Sequence, residues 1–336
     1  MLSLNPNRYI TKGKKRASII NKKGNFQLVP LSFIDYLNSK INNDPSLVEI
    51  LEYEKFIEAE SFLLFNAIEL NQTWETYSEI QHLSVELKNI DFLDHLIHFS
   101  NCNNCQSIDF ILKSTFTQKD FEHLLHAVSV AIFARVSIQI KNDYLNNELL
   151  TKINNTNNIG EVYIELPNSY KINSESELLS KIFVKEKPAN PELHCIDLTP
   201  NIDLIIESKF YHSYLNKRVH INTNGIVSRF RDDKINFGHI KSFNLQLEIE
   251  NPNSFSYYWS AKKDDTDICN DCEFRYVCID FRIPKKRKKS KWYHQIECNY
   301  NPYIAKWKGE DGYKTLKEIG VVSNSYAFSK NSRVLF

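Results

Sequence analysis

Four cysteines near the end of the chain place the strongest constraint on what it can fold into. Three of them lie within the ten-residue stretch CNDCEFRYVC, and the fourth follows twenty residues after the third. The spacing is Cys269-x2-Cys272-x5-Cys278-x19-Cys298. A C-x2-C turn presents two thiolates to one metal, and two further thiolates complete a tetrahedral set. We therefore predict one metal centre on Cys269, Cys272, Cys278 and Cys298, which ties two distant segments together.

The spacing does not decide which metal these cysteines bind. Soft thiolates suit zinc or an iron–sulfur cluster. The five-residue gap is less typical of zinc ribbons, which pair two short C-x2-C turns. The alternative, that the four are buried or incidental free thiols, is disfavoured because three of the seven cysteines lie within ten residues.

Composition and targeting signals predict a soluble, cytoplasmic protein. The N-terminal segment MLSLNPNRYITKGKKR lacks the apolar core of a secretory signal. The longest largely apolar run, residues 127–134, is far shorter than the ~20 residues of a membrane span. The net charge of +1 gives no overall attraction to nucleic acid or membrane. Because disulfides are rare in the cytoplasm, clustered cysteines there indicate metal or redox chemistry.

The length of 336 residues suggests two or three domains. Residues 1–80 predict a hairpin from 16–21 and 25–30, followed by segments with helical spacing. Those segments are 30–41, 46–57 and 58–70. A hairpin followed by helices is compatible with a winged-helix-like unit, which could bind a precursor peptide as an added strand or could be a structural cap.

Residues 81–190 predict βα units, a parallel sheet and hence a partial (βα) barrel, because strand and helix patterns alternate. The predicted strands are 83–87, 107–112, 136–140 and 160–166, and the predicted helices are 91–99, 119–133, 146–153 and 176–183. Residues 191–336 follow a connector at 185–192. They contain a predicted hairpin at 218–230 with its turn at Asn224-Gly225 and then the cysteine-rich tail.

The stretches ICNDCEFRYVCIDFRIP and CNYNPY, together with HINTNGIVSRF and FGHI, resemble the SPASM domain of peptide-modifying radical SAM proteins. The chain is more closely similar to the SPASM-domain proteins of grasp-with-spasm systems, over most of its length and best over 218–305. That resemblance implies a precursor peptide of the graspetide type and an ATP-grasp ligase as partners. It also implies that 191–336 is a SPASM-like domain and the chain an α/β, degenerate radical SAM protein.

Two departures from the family pattern reduce the predicted cluster count. Arg282 and Phe230 stand where the resemblance places two cysteines of the first auxiliary cluster. The resemblance therefore implies one [4Fe–4S] cluster on the four cysteines, with zinc as the alternative.

A second set of residues approaches the C-x3-C-x2-C motif that binds S-adenosylmethionine in radical SAM proteins. Here His98 replaces the first cysteine, ahead of Cys102 and Cys105. The set also precedes the strand 107–112, which places it at the edge of the sheet opposite to barrel active sites. We therefore predict no S-adenosylmethionine site, and we interpret Cys102, Cys105 and Cys195 as ordinary loop or core thiols.

The run PKKRKKSK, residues 284–291, has six basic residues among eight. Such a run is usually a solvated loop, but it could dock an acidic partner or bind nucleic acid. Aromatic residues are not interleaved with it as on a single-strand binding platform, so nucleic acid is not the expected partner. Nearby carboxylates partly cancel its charge, namely those of Asp264, Asp265, Asp267, Asp271 and Glu273.

No catalytic residue can be assigned from the sequence. His123 and His126 share a helical face but lack an evident third ligand, and no nucleotide-binding or nucleophile-elbow motif is present. We therefore expect an accessory protein of peptide maturation with a mainly structural metal site. The first alternative is an iron–sulfur peptide-modifying enzyme, and the second is a zinc-containing nucleic-acid-binding protein.

Overall fold

The computed structural model describes residues 9–20, 26–39, 74, 76–113, 115–141, 147–165, 182–184, 196–251, 255–287 and 291–321. The predicted helices at 46–57 and 58–70, the connector and Cys195 lie outside these residues. The described residues divide into two compact units. We call the first the cysteine unit, and it consists of the described residues within Met1–Trp74, Asn190–Tyr214 and Tyr258–Phe336. We call the second the sheet unit, and it consists of the described residues within Glu75–Ala189 and Leu215–Tyr257.

Strands and helices alternate through the middle of the chain. The strands are β1 Tyr9–Lys12, β2 Arg16–Ile20, β3 Phe26–Pro30, β4 His82–Leu87, β5 Ser107–Leu112, β6 Arg135–Lys141, β7 Ile159–Glu165, β8 Ile182–Val184, β9 Ile196–Leu198, β10 Arg218–Ile221, β11 Val227–Ser228, β12 Cys278–Asp280, β13 Pro284–Lys286, β14 Trp292–His294, β15 Tyr300–Asn301 and β16 Lys306–Trp307. The α-helices are α1 Leu31–Ser39, α2 Leu93–Cys102, α3 Gln118–Val130, α4 Asn147–Asn155, α5 Ile202–Phe210 and α6 Leu245–Glu250. Among the described helices, none is long and apolar enough to cross a membrane.

The sheet unit is built on a seven-stranded sheet in the order β11-β10-β4-β5-β6-β7-β8. Six of its strands are parallel, and only β11 pairs antiparallel, with β10. Strands β4 to β8 follow one another in chain order, and α2, α3 and α4 connect the first four. The prediction of a parallel sheet made of βα units is therefore confirmed.

Alternation of side chains explains why β4 and β5 form here. Leu83 and Val85 of β4 and Ile108 and Phe110 of β5 are fully buried on one face of the sheet. Helix α3 begins at a capping box in which Thr117 and Asp120 bond each other's backbone N–H groups. Such a box satisfies amide groups that the first turn of a helix leaves without partners.

Two details of the predicted organisation differ from the structure. Residues 182–183, predicted as the end of a helix, belong to β8, because Ile182 pairs with Val162 as the edge strand of the sheet. The predicted hairpin turn is present, with Gly225 at a φ of 72°. However, β10 also pairs in parallel with β4. The hairpin is therefore part of the sheet unit, whereas the cysteine segment belongs to the other unit.

The cysteine unit contains a three-stranded antiparallel sheet, β1-β2-β3, and several two-stranded sheets. The predicted hairpin is confirmed as β2 and β3, and β1 is a further strand that the sequence did not reveal. Ala17, Ile19 and Val29 of this sheet share a core with Ile34 of α1. The winged-helix-like fold stays a prediction, since the later helices lie outside the described residues.

Candidate metal centre

The four predicted ligands lie in loops and short strands of the cysteine unit. Cys269 opens a single 3₁₀ turn, and Cys272 directly follows that turn. Cys278 is the first residue of β12, and Cys298 lies two residues before β15. Ile268, just before the turn, has a φ of 72°, a conformation that β-branched residues rarely adopt. Strained backbone of this kind occurs mainly at functional sites, so it supports a functional role for the C-x2-C turn.

Two of the four sulfur atoms accept backbone hydrogen bonds. The N–H group of Phe274 donates to Sγ of Cys272 at 3.4 Å, and that of Tyr300 donates to Sγ of Cys298 at 3.5 Å. Hydrogen bonds to sulfur favour the thiolate form and are a means by which proteins tune metal–thiolate centres. Each of these two sulfur atoms thus has a backbone donor that would stabilise a thiolate.

An apolar core surrounds most of the set. Cys278 is buried in a cluster with Phe274 and Tyr300, and Cys272 and Cys298 pack against the same cluster. Burial raises the pKa of Cys278 to about 12 and that of Cys272 well above its ordinary value. As free groups these would be neutral thiols, so only a bound metal would hold them as thiolates.

The C-x2-C segment is bonded to the N-terminal sheet within the same unit. Glu273 follows Cys272 and is fully buried, and its carboxylate accepts from Nε of Arg16 at 2.6 Å and from the hydroxyl of Tyr300. The hydroxyl of Ser18 donates to the carbonyl oxygen of Glu273 at 2.8 Å. The metal segment therefore forms part of the packing of β2.

A second combination of ligands includes residues that the sequence did not suggest. Cys269, Asp280 and His294 each offer one ligand atom, and these atoms lie within 4.8 Å of one another. Among the described residues, this is the one group of at least three such side chains so close together. It could hold a metal ion. The only sequence signal was the position of Asp280 two residues after Cys278, which places both side chains on the same face of β12.

The charged side chains around Asp280 influence which kind of metal centre the surrounding residues could hold. Its carboxylate is fully buried and accepts from Nε and Nη2 of Arg282 at 2.8 and 2.7 Å. Nζ of Lys263 lies 3.7 Å away and donates to the carbonyl oxygen of Cys278 at 2.6 Å. Burial alone would raise the pKa of Asp280, but Arg282 holds it well below its ordinary value. Two buried cations thus share one carboxylate.

The excess positive charge is close to the predicted ligands. Nη2 of Arg282 lies 3.7 Å from Sγ of Cys269, and Arg282 and Lys263 are each at most 4% exposed. Burial and the neighbouring Arg282 lower the pKa of His294, which is therefore neutral. An uncompensated buried charge destabilises a protein by about 3–5 kcal/mol. A divalent ion bound only by Cys269, Asp280 and His294 would leave the positive excess in place.

A four-thiolate centre would supply negative charge beside these cations and would change the local excess from positive to negative. With one divalent metal, or with a [4Fe–4S] cluster in its 2+ state, four thiolates form a centre of net charge −2. Such a centre offsets the cations of Lys263 and Arg282 in an interior where isolated charges are unfavourable. Among the described residues, however, no three of the four cysteine sulfur atoms lie within 4.8 Å of one another, so the four-thiolate centre stays a prediction. Arg282 occupies the position of the cysteine that the family pattern would place there.

The three residues of the incomplete radical SAM motif lie in the sheet unit, and among the described residues they do not form a group of three close ligand atoms. Sγ of Cys102 lies 3.6 Å from Nε2 of His98 at the exposed end of α2. Cys105 is buried, its thiol donates to the carbonyl oxygen of Ser107 at 3.3 Å, and burial raises its pKa to about 12. His123 lies 3.9 Å from Asp94, and among the described residues neither it nor His126 belongs to a group of three ligands.

The sheet unit also has a polar face that the sequence interpretation missed. His82, Ser107 and Arg135 are in-register neighbours on β4, β5 and β6, and Asp109 and Ser137 follow two residues later. Nδ1 of His82 lies 2.7 Å from Oγ of Ser107, and its Nε2 lies 2.8 Å from Oδ2 of Asp109. The hydroxyl of Ser137 donates to the other oxygen of Asp109. The signal was visible as polar residues at alternate positions, which strands buried on both faces do not show.

The carboxyl ends of the same strands carry a charged group. Glu86 of β4 is 14% exposed and contacts Nζ of Lys113 at 3.0 Å and Nη2 of Arg231 at 3.1 Å. His220 of β10 is buried on the same face, with Nδ1 3.4 Å from Oγ of Ser84. Open α/β sheets bind ligands outside the carboxyl ends of their strands. This end of the face is thus a second candidate site.

Comparison of the chain with protein-family models, with curated proteins and with solved structures found no match. The similarity to SPASM proteins therefore stays a prediction that rests on the residues quoted for it.

Proposed function

We propose that the chain is an accessory protein in the maturation of a ribosomally synthesised peptide, with one four-thiolate centre of mainly structural role. Its partners are the precursor peptide, an ATP-grasp ligase, or both. The SPASM-like stretches around Cys269–Cys278 and Cys298 support this proposal. [4Fe–4S] is the proposed occupant, and zinc is the alternative with the same ligands.

The observation that carries the metal part of the proposal is the buried excess of positive charge beside the thiols. Lys263 and Arg282 share one carboxylate, and Arg282 contacts the sulfur of Cys269. An anionic centre explains why two cations are buried there, whereas four neutral thiols do not. When bound, the centre would supply cross-linking of the chain. The cations would stabilise its charge, and Glu273 would link its C-x2-C turn to β2.

The three-stranded sheet β1-β2-β3 supports the peptide-binding part. Extended peptides bind proteins by adding a strand to the edge of a small sheet, and here β2 is central while β1 and β3 each have an outer edge. The contacts of Arg16 and Ser18 to Glu273 fix this sheet to the metal segment. Loss of the centre is therefore expected to weaken peptide binding as well as folding.

Affinity capture followed by mass spectrometry tests the proposed role. The tagged chain, purified without oxygen, is incubated with an extract of its source cells, beside the variant Cys272→Ser. We expect an ATP-grasp ligase or a short ribosomal peptide to be recovered with the intact chain and to be depleted with the variant. Recovery of neither with a metal-loaded chain would contradict the accessory role.

The polar face of the sheet unit favours one second candidate, a peptide-modifying enzyme. Glu86 with its two cations lies at the carboxyl ends of the strands, where parallel sheets bind ligands. The group of His82, Ser107 and Asp109, which can move a proton, lies at the opposite, amino ends and is a separate feature of the same face. The two proposals differ in one result. A change in the mass of a recovered peptide in the absence of the ligase, lost in Glu86→Gln, would favour the enzyme.

A further inference from the structure

The basic run lies in an antiparallel hairpin of the cysteine unit. Strand β13 pairs with β14, with Lys285 opposite Tyr293 and Lys286 opposite Trp292. The N–H group of Arg287 donates to the carbonyl oxygen of Lys291 at 2.8 Å, which extends the pairing by one step. The described part of the run is thus a regular two-stranded ribbon and not a solvated loop.

The base of the ribbon is fixed in the interior. Trp292 is 3% exposed, and its carbonyl oxygen accepts from the N–H group of Asp267 at 2.9 Å. His294, at the end of β14, is 5% exposed and lies 3.3 Å from Asp280. The ribbon therefore projects from the same network that surrounds the predicted metal centre, and little conformational entropy remains to be lost there on binding.

The outer part of the ribbon carries mainly positive charge. Lys285, Lys286 and Lys291 are exposed. Arg287 contacts Asp267 at 3.3 Å, and its guanidinium lies 4.5 Å from the ring centre of Tyr293. Because successive side chains of a strand point to opposite faces, the lysines at 285 and 286 place cations on both faces of the ribbon.

We propose that this hairpin docks an acidic, extended peptide segment through Lys285, Lys286 and Lys291. The proposal deepens the proposed function, on which it rests, by naming the chemistry of the partner. Charge complementarity between an exposed cationic ribbon and carboxylate side chains would give orientation and a fast association rate. The rigid base would keep the bound segment close to the cysteine unit.

Nucleic acid fits this ribbon less well. Proteins that bind single strands stack bases on exposed aromatic rings. Here the ring of Tyr293 is covered by Arg287, and Trp292 is buried. The exposed carboxylates of Asp265 and its neighbours would repel a long polyanion, and the net charge of the chain is only +1. An acidic peptide needs no exposed aromatic ring, so the first disadvantage does not apply to it.

Fluorescence anisotropy with three labelled decamers tests the proposal on the full-length, metal-loaded chain. The probes are poly-glutamate, poly-glutamine and oligo-thymidine, each at low and at physiological salt. We expect the glutamate decamer to bind, the glutamine decamer not to bind, and affinity to fall with salt. The double variant Lys285→Glu/Lys286→Glu should weaken glutamate binding by about tenfold or more, since it replaces attractions by repulsions.

The matched control is Lys308→Glu/Lys317→Glu, which makes the same charge change at exposed positions of the same unit. It should bind the glutamate decamer as the unmodified chain does. Tighter binding of oligo-thymidine than of poly-glutamate would overturn the proposal in favour of a nucleic-acid partner. Equal losses in both double variants, or no binding of poly-glutamate, would also overturn it. Metal content is measured on the same samples, so failure of the hairpin is distinguished from failure of the metal centre.

Discussion

The cysteine unit and the sheet unit achieve burial in different ways. In the sheet unit, β4, β5 and β6 bury regular apolar side chains, such as Leu83 and Phe110, on one face of a parallel sheet. In the cysteine unit, short strands and 3₁₀ turns surround buried charges, among them Lys263, Asp280 and Arg282. The first unit has an ordinary hydrophobic driving force, whereas the second also contains two buried cations that share one carboxylate.

The largest expected effect comes from removing one thiol. Cys272→Ser deletes a proposed ligand, and structural zinc sites contribute on the order of 10 kcal/mol to folding. We expect the metal to be lost and amide protection to disappear in β12 and β15, while β5 stays protected. Hydrogen exchange with mass spectrometry measures both regions in one experiment. The control is Cys105→Ser in the sheet unit, which should retain the metal.

A pair of identical substitutions sharpens the comparison of buried charge. In the metal-free chain, Asp280→Asn leaves two buried cations without their carboxylate, whereas Asp233→Asn in the sheet unit leaves only Arg229, whose Nε lies 2.6 Å from Asp233. Loss of one member of a buried pair costs about 3–5 kcal/mol. We expect denaturant melts to show at least this loss for Asp280→Asn and a smaller one for Asp233→Asn. Equal losses would contradict the charge excess.

Acid should weaken the sheet unit through His220. Burial, and to a lesser extent Arg231, lowers the pKa of His220 to about 4, whereas a histidine in the unfolded chain has a pKa of ~6.5. Between about pH 4 and pH 6.5 the unfolded state therefore binds more protons than the folded state. The contribution of His220 to the free energy of unfolding is present in full above about pH 6.5 and is lost as the pH falls towards 4. The loss amounts to roughly 3 kcal/mol. His220→Gln should flatten this part of the pH dependence of unfolding, and an unchanged slope would show that other groups cause it.

The smallest effect concerns the packing of β2 against the metal segment. A Cβ atom at Gly13 would lie 2.6 Å from Oε2 and 2.7 Å from the backbone nitrogen of Glu273. Gly13→Ala should therefore cost about 1–3 kcal/mol, as overpacking does. At Gly160 in β7 a Cβ atom would make only an ordinary contact, at 3.6 Å, with the Arg135 side chain. Thermal melts should show little change for Gly160→Ala, and similar melting temperatures for both variants would argue against the tight contact.

Much of the sheet unit could be predicted from the sequence because its signals are local. The alternation at 83–87 and 107–112 predicts the strands that form there, and the helix predicted at 119–133 is observed at Gln118–Val130. The pairing of β10 with β4 could not be predicted, since periodicity does not specify which strands become neighbours. Strand β8 was missed because three residues are too few for a reliable pattern.

The candidate site was predictable only in part, for a related reason. Cysteine spacing is itself a chemical signal, so the four thiols could be selected without a fold. Lys263, Asp280 and Arg282 could not, because a buried charged residue looks in sequence like an exposed one. Their role depends on a shared environment that forms when the segments before and after the C-x2-C turn are brought together.

The most direct test of the central claim is metal analysis of the chain purified without oxygen, beside the variants Cys298→Ser and His294→Gln. An anionic four-thiolate centre predicts about four irons with sulfide, or one zinc, per chain, lost in Cys298→Ser and retained in His294→Gln. Metal retained in Cys298→Ser but lost in His294→Gln would place the ion on Cys269, Asp280 and His294 instead. That result would contradict the account.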